Sequence, residues 1–316
     1  MACPICDSAS AAPWRSGLYD DRYGYPGRFE LLKCKACGHA FLDALFNPEQ
    51  LGDLYSRFYP RKSMDVTSYA PKQLLGGWRG WWIGERSAAF AWVPPNSRVL
   101  DVGCGFGHSL GFHQARGCEA YGIEADENAQ RVAQAHGLRI THGLFDGSGY
   151  ATEFFDVITF DQVAEHLVDP VATIRATRKL LKADGKLILS FPNAQGWGAW
   201  LFGRHWINWH TPYHLHFFSR RSIGVLAEKA GLYVELERTL THSDWLRYQW
   251  MHLVNFPSEG NSSVFWKPQP GATSGRSIWW ERGIRALHKI GLNAMLTRLF
   301  DAIGKGDNRI VVMRRR

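Results

Sequence analysis

Val99-Leu100-Asp101-Val102-Gly103-Cys104-Gly105-Phe106-Gly107 is the stretch whose reading decides the fold. Arg98–Asp101 reads as a short apolar strand, the glycines as a sharp turn, and Phe106–Arg116 as a helix. A glycine motif carries meaning in this strand–turn–helix context, because the missing Cβ lets a ligand approach the backbone closely. An acid at the strand end, Asp101, can bond an amino group or orient the loop. A dinucleotide loop needs G-x-G-x-x-G. That pattern fails in both frames, since the third position falls on His108 or on Leu110. The spacing is instead D-x-G-x-G-x-G.

Outward from this loop, strands and helices alternate. Strands are predicted at Ala120–Glu124, Leu138–Thr141, Phe155–Phe160, Lys186–Phe191, Leu232–Leu240 and Arg309–Met313. Helices are predicted at Glu127–His136, from the Asp169-Pro170 cap to Leu181, and at Arg220–Ala230, closed by Gly231. Such alternation implies a parallel sheet covered on both faces. The spacing predicts an antiparallel pairing of the last two strands, with the basic, partly helical residues 241–308 inserted between them. Upstream, Asn47-Pro48-Glu49-Gln50 reads as a capped helix start running to Tyr59. A further helix is expected over Trp81–Trp92, before Pro94-Pro95.

Cys3-x-x-Cys6 and Cys34-x-x-Cys37 stand 27 residues apart. Two such knuckles make a closed tetrahedral sulfur site, the pattern of structural Zn2+. Gly38 permits the tight turn after the last ligand, and His39 is a less favoured replacement ligand. Cys104 and Cys118 read as ordinary buried thiols. The organisation expected is a zinc ribbon over 1–45, a helical cap over 46–95, a Rossmann-like domain over 96–240 plus 309–316, and the insertion.

The turn at 101–107, Tyr121-Gly122-Ile123-Glu124 with its terminal carboxylate, FDVITFDQVAEHLVDP, LLKADGKLILSFPN and TPYHLHFFSRRSIGVLAEKAGL together resemble one family. It is the class I S-adenosylmethionine-dependent methyltransferases, in the branch with an N-terminal zinc-binding segment. The resemblance covers residues 1–240 and the final strand but not the insertion. It implies a Rossmann-like, doubly wound seven-stranded sheet with the last strand antiparallel, preceded by a small zinc ribbon. It also implies S-adenosylmethionine held by Asp101, Gly103, Cys104, Gly105, Gly107, Glu124 and Ala125. Phe145 and Asp146 would flank the adenine, and Asp161 and Gln162 the methionine end. Glu165, His166 and His214 are the candidate catalytic residues. His166 is favoured as base, because an unperturbed imidazole titrates near neutral pH. The alternative is that it only orients its loop.

The acceptor expected is a small molecule or glycan: a sugar, nucleotide sugar, natural product or lipid-linked intermediate. The Trp-rich loop around Trp197, Trp200, Trp206 and Trp209 favours it, since aromatic faces stack on rings. Trp78, Trp81, Trp82 and Trp92 are expected in the core. Two other readings stay open, an RNA methyltransferase and a non-catalytic module that binds the cofactor. All of the formal +8 charge lies in residues 247–316, with 12 Lys/Arg against 4 Asp/Glu. Such a segment suits phosphates or an anionic membrane surface. The adenine-methylating [DN]-P-P-[YF] signature is missing where Asp161-Gln162-Val163 stands, which argues against nucleic acid. With no signal peptide and no apolar run of membrane-spanning length, the expected location is cytoplasmic. No motif fixes the oligomeric state.

Overall fold

The computed structural model describes residues 1–44, 46, 50, 53–60, 64–268 and 275–316, with backbone alone at 275–277. Its strands are β1 (Ala11–Leu18), β2 (Phe29–Cys34), β3 (Ala40–Leu42), β4 (Arg98–Val102), β5 (Glu119–Glu124), β6 (Arg139–His142), β7 (Phe155–Asp161), β8 (Leu181–Pro192), β9 (His216–Phe217), β10 (Leu232–Thr239) and β11 (Asn308–Arg315). Seven of them form one sheet in the order β10-β11-β8-β7-β4-β5-β6. β4 pairs in parallel with both β5 and β7, and β11 runs antiparallel to both β8 and β10. The expected doubly wound sheet and its reversed last strand are therefore present.

The strand sequences explain the layering. β7 and the second half of β8 are almost wholly buried, as strands covered on both faces must be. β6 lies at the edge, and only Ile140 of its residues is buried. The winding reverses at β4, whose neighbours in the sheet, β5 and β7, lead to opposite edges. The crevice at a doubly wound sheet's ligand end opens at such a reversal, beyond the strand carboxyl ends. Here it is flanked by the loops that follow β4 and β7.

A second sheet, β1-β2-β3-β9, joins the N-terminal segment to the large domain. Its fourth strand is supplied by residues 216–217, far along the chain. The cysteine segment is therefore stitched into the domain and does not hang from a linker.

Expectations about the flanking regions change in part. The helix foreseen from Asn47 begins outside the described residues; Gln50 and Asp53 are helical, and Leu54–Phe58 form a π-helical turn that ends at Tyr59. In place of a helix over Trp81–Trp92 there is a helix at Gly77–Ile83 and two 3-10 turns, Glu85–Ser87 and Ala89–Trp92. Gly84, at φ 79, ends the helix early. The described residues of 46–95 are thus only partly helical. Trp78 and Trp81 are exposed and do not enter the core, because the short helix buries only Gly80. The insertion is mainly helical, at Ser243–Val254, Gly275–Lys289 and Leu292–Ala302.

Candidate functional site

The turn after β4 is built as its glycines require. Gly103, Gly105 and Gly107 all have positive φ, at 71, 54 and 76°. A Cβ on Gly103 would lie 2.6 Å from a methyl of Val163, in the loop after β7. One on Gly107 would lie 2.7 Å from Leu138. A Cβ on Gly105 would meet nothing within 4 Å. The middle glycine alone therefore faces open space, while the outer two are glycines for packing.

Glu124 closes the far side of this space. Its carboxylate accepts the Gly105 N–H at 2.8 Å and the Asp126 N–H at 2.9 Å, one on each oxygen. Each oxygen keeps a lone pair for a further donor. Ala125 follows, its carbonyl 3.1 Å from His142 Nε2. Phe145 packs edge-on to Phe160, and Asp146 is exposed, its carboxylate accepting the Ser148 N–H.

Three of the sequence-predicted residues have side chains engaged within the protein. Asp101 is buried and faces inward, bonding the Ser109 hydroxyl and, at 2.7 Å, that of Thr159. It ties turn, helix and β7 together, the loop-orienting role. Gln162, at φ 59, turns its amide to Ser190 at 2.9 Å and Asn308 at 2.8 Å, anchoring the loop to the sheet. Cys104 is buried beneath the turn, so its backbone is the part left near the open side. Asp161 lies between these groups. Burial, with the Asp101 carboxylate adding to it, pushes its pKa up to about 7.

Beyond β7, Val163 leads into the turn Ala164–His166. Glu165 is 1% exposed, and neither carboxylate oxygen has a hydrogen-bond partner. His214 Nε2 stands 4.0 Å from Glu165 Oε1. One ligating atom from each of Glu165, His166 and His214 lies within 4.8 Å of the other two. The three candidate catalytic residues are therefore brought together across 48 positions of chain from His166 to His214. Burial pushes the Glu165 carboxyl up to about 8 and the His166 imidazole down to about 4. Burial holds His214 well below its ordinary value too. The neutral-pH titration expected for His166 thus gives way to a ring that stays neutral, because water no longer solvates its charged form.

Sequence reading missed most of the wall around this cluster. Tyr23, Tyr55, Tyr59 and Tyr213 pack around it, edge to face except for the tilted Tyr59–Tyr213 pair, with ring centroids 5.2–5.8 Å apart. His210 stacks on Tyr213 and stands 4.9 Å from the His214 ring. Buried Asp20 accepts the backbone N–H groups of Arg22, Tyr23 and Tyr25 and the Tyr213 hydroxyl. The D-D-R-Y-G-Y run at 20–25 was the available signal, but nothing local ties it to His214. Tyr69, whose hydroxyl donates to the Gly107 carbonyl at 3.0 Å, covers the cofactor-side turn and was also missed.

The four N-terminal cysteines converge. Cys3 and Cys37 sulfurs are 3.6 Å apart, as are those of Cys6 and Cys34, and all four lie within 4.8 Å of one another. A tetrahedral zinc with sulfur at about 2.3 Å places its ligands about 3.8 Å apart, so the donor set fits. His39 is not among them. It is buried, 3.1 Å from His216 Nδ1, while His216 Nε2 bonds the Leu167 carbonyl at 2.8 Å. One ring-to-ring path thus runs from the cysteine knuckle to the turn that carries His166.

Comparison with known proteins gives the family. A family model described as a methyltransferase domain matches residues 78–237. The ubiquinone biosynthesis O-methyltransferase of Pseudomonas aeruginosa (strain LESB58) is 30% identical over 196 residues, 58% of this chain and 80% of that protein. The protein of the same name from Ruegeria sp. (strain TM1040) is 34% identical over 148 residues, 43% of this chain and 60% of its own. Among solved structures, a SAM-dependent methyltransferase from Archaeoglobus fulgidus aligns with a TM-score of 0.41 and 16% identity, across 72% of this chain and 88% of that one.

Proposed function

The chain belongs to the methyltransferase-domain family as a class I S-adenosylmethionine-dependent methyltransferase, and from that premise we propose that it methylates a hydroxyl of a small-molecule or glycan acceptor. The observation that carries this reading is the meeting of two loops at the crevice, Gly103 against Val163. On this reading it brings the open space at Gly105 beside the buried Glu165–His166–His214 cluster. The named activity of the relatives, O-methylation in ubiquinone biosynthesis, supports oxygen as the target atom.

When bound, S-adenosylmethionine supplies an electrophilic methyl group on a sulfonium. Gly105 and the spare lone pairs of Glu124 would hold its nucleoside, with Phe145, Asp146 and Ala125 beside the adenine and Asp161 toward the methionine end. Asp101 and Gln162 act as positioning residues through Ser109, Thr159, Ser190 and Asn308. The tyrosine wall takes the acceptor's ring and excludes water, so that alignment supplies much of the rate. His166 and His214 face the acceptor's proton as neutral imidazoles.

Two further assignments belong to this reading. Cys3, Cys6, Cys34 and Cys37 hold a structural zinc that braces β2, β3 and, through His39–His216, the acceptor wall. None of the six cysteines is in a disulfide, which suits a reducing, cytoplasmic setting. Second, the helices 275–289 and 292–302 rest peripherally on an anionic membrane surface. Trp279, Ile290, Leu299 and Ile303 are exposed there, and Trp279 alone is 73% exposed. Arg282 and Lys289 flank them, as at an interfacial helix. Among the described residues no helix is long and apolar enough to cross a membrane.

The deciding experiment is calorimetry with S-adenosylhomocysteine, followed by methyl transfer from labelled donor to a panel of phenols, catechols and glycosides. Saturable product binding and label on a hydroxyl are expected. A protein that binds neither donor nor product sinks the reading.

A further inference from the structure

We propose that a cavity at the carboxyl end of β10 binds the diphosphate group of a phosphorylated organic molecule and that this molecule is the acceptor, a role that rests on the methyl-transfer reading above.

The cavity holds about 640 Å3, the size of a small-molecule site rather than of a lone ion. β10 contributes Glu237 and Arg238, and β11 contributes Arg309. The helix Leu292–Ala302 and the turn after it contribute Arg298, Asp301 and Lys305. Arg220, the first residue of the helix Arg220–Lys229, completes the rim.

Charge is the first support. Five cationic side chains in this lining face two carboxylates. Arg298 pairs with Asp301 and donates to the Trp81 and Thr241 carbonyls. Arg309 donates to Glu237 at 2.8 Å and to the Asn193 side chain at 2.7 Å. Both guanidiniums are buried and fixed, and the Nε of each has no hydrogen-bond partner, so donor capacity remains. Glu237 also takes Arg220 at 3.4 Å, so one carboxylate serves two guanidiniums. Arg238 and Lys305 are exposed and pair with no carboxylate among the described residues. The lining therefore keeps an excess of positive charge that a single carboxylate would leave mostly unmatched. A diphosphate ester carries several negative charges close together, and guanidiniums grip its oxygens in pairs.

Position is the second support. Thr239 pairs with Arg309, Arg309 with Phe191, and the neighbouring Ser190 with Asp161. The cavity thus opens on the same edge of the sheet as the loop that carries Glu165 and His166. The strand order places β11 two steps and β10 three steps from β7, about 10 and 14 Å at the usual strand spacing. Six positions of chain join His214 in the acceptor wall to Arg220 at the rim. The cofactor turn after β4 lies on the other side of β7. One extended molecule held by its diphosphate at β10 and β11 therefore presents its far end to the crevice, without crossing the cofactor.

The test uses the full chain, loaded with zinc, in a low-salt, magnesium-free buffer. Inorganic diphosphate is titrated by calorimetry, alone and with saturating S-adenosylhomocysteine, and UDP and farnesyl diphosphate are then compared with it. Saturable binding of one diphosphate is expected, indifferent to the cofactor product and weakened by added salt. Arg238→Gln and Lys305→Gln should each weaken it about 3-fold, and the double variant at least ~10-fold. Both residues are exposed, so melting temperature and S-adenosylhomocysteine affinity should hold. Wild-type protein with no saturable diphosphate site overturns the proposal. So does a double variant that binds as wild type, or binding that the cofactor product abolishes. Tighter binding of UDP supports a nucleotide-linked acceptor, and tighter binding of farnesyl diphosphate a lipid-linked one. If neither ester binds better than inorganic diphosphate, the acceptor role is overturned. Protein that binds diphosphate but never S-adenosylhomocysteine sinks the methyl-transfer reading and leaves the site.

Discussion

Gly105→Ala should separate ligand binding from folding at the turn after β4. In the free protein the added methyl meets nothing within 4 Å. Its only cost is the left-handed backbone at φ 54, about 1–2 kcal/mol for a residue with a Cβ. At roughly 2–4 °C per kcal/mol for a domain of this class, the melting temperature should fall by only a few degrees. The same methyl intrudes where the nucleoside is proposed to lie. Affinity for S-adenosylhomocysteine should drop at least ~10–100-fold, about 1.4–2.7 kcal/mol. Gly103→Ala is the contrast. Its Cβ would sit 2.6 Å from Val163, where ordinary contact begins near 3.4 Å. The αL cost then adds to overpacking of about 1–3 kcal/mol, and the loss should be mainly in stability. Calorimetry and thermal unfolding on both variants make the assay. Gly105→Ala that binds the product as wild type does, or that melts as low as Gly103→Ala, would refute the reasoning.

Other outcomes follow from the same geometry. Cys34→Ser should lose the bound zinc by elemental analysis and lower the melting temperature steeply, since metal in such a segment is worth on the order of 10 kcal/mol of folding. Retained zinc would exclude the four-cysteine site. Asp307 is half-buried, accepts the Gly198 N–H at 2.8 Å, and has its pKa pushed up to about 7 by desolvation. The folded state therefore holds this proton more tightly than the unfolded one, whose pKa is near 3.8. Its contribution is full below that lower value and is lost as pH rises toward 7. Urea midpoints should fall across that window, and Asp307→Asn should flatten the slope; an unchanged slope would remove Asp307 as its source. Flotation with anionic vesicles should be lost in the Trp279→Ser, Trp280→Ser double variant, with product binding kept. Equal flotation of the variant would end the membrane assignment.

What the sequence determined by itself is what neighbouring residues encode. The glycine turn, the carboxylate closing β5, the Asp169 cap and the strand–helix alternation are each written within a few residues, where backbone freedom and hydrophobic period act directly. The two C-x-x-C pairs were legible for the same reason, each being a local knuckle. Tertiary structure decided the rest. Asp101 and Gln162 look like ligand-facing groups along the chain, yet sheet register turns Asp101 toward Thr159 on β7 and Gln162 toward Asn308 near the chain's end. Trp78 and Trp81 look like core but stay exposed, because a short helix buries only its glycine. The cluster of Glu165, His166 and His214, and the tyrosine wall reaching back to Tyr23, exist only once β9 pairs with β3. Contacts made across so much chain depend on which strands lie side by side, and no local spacing records that.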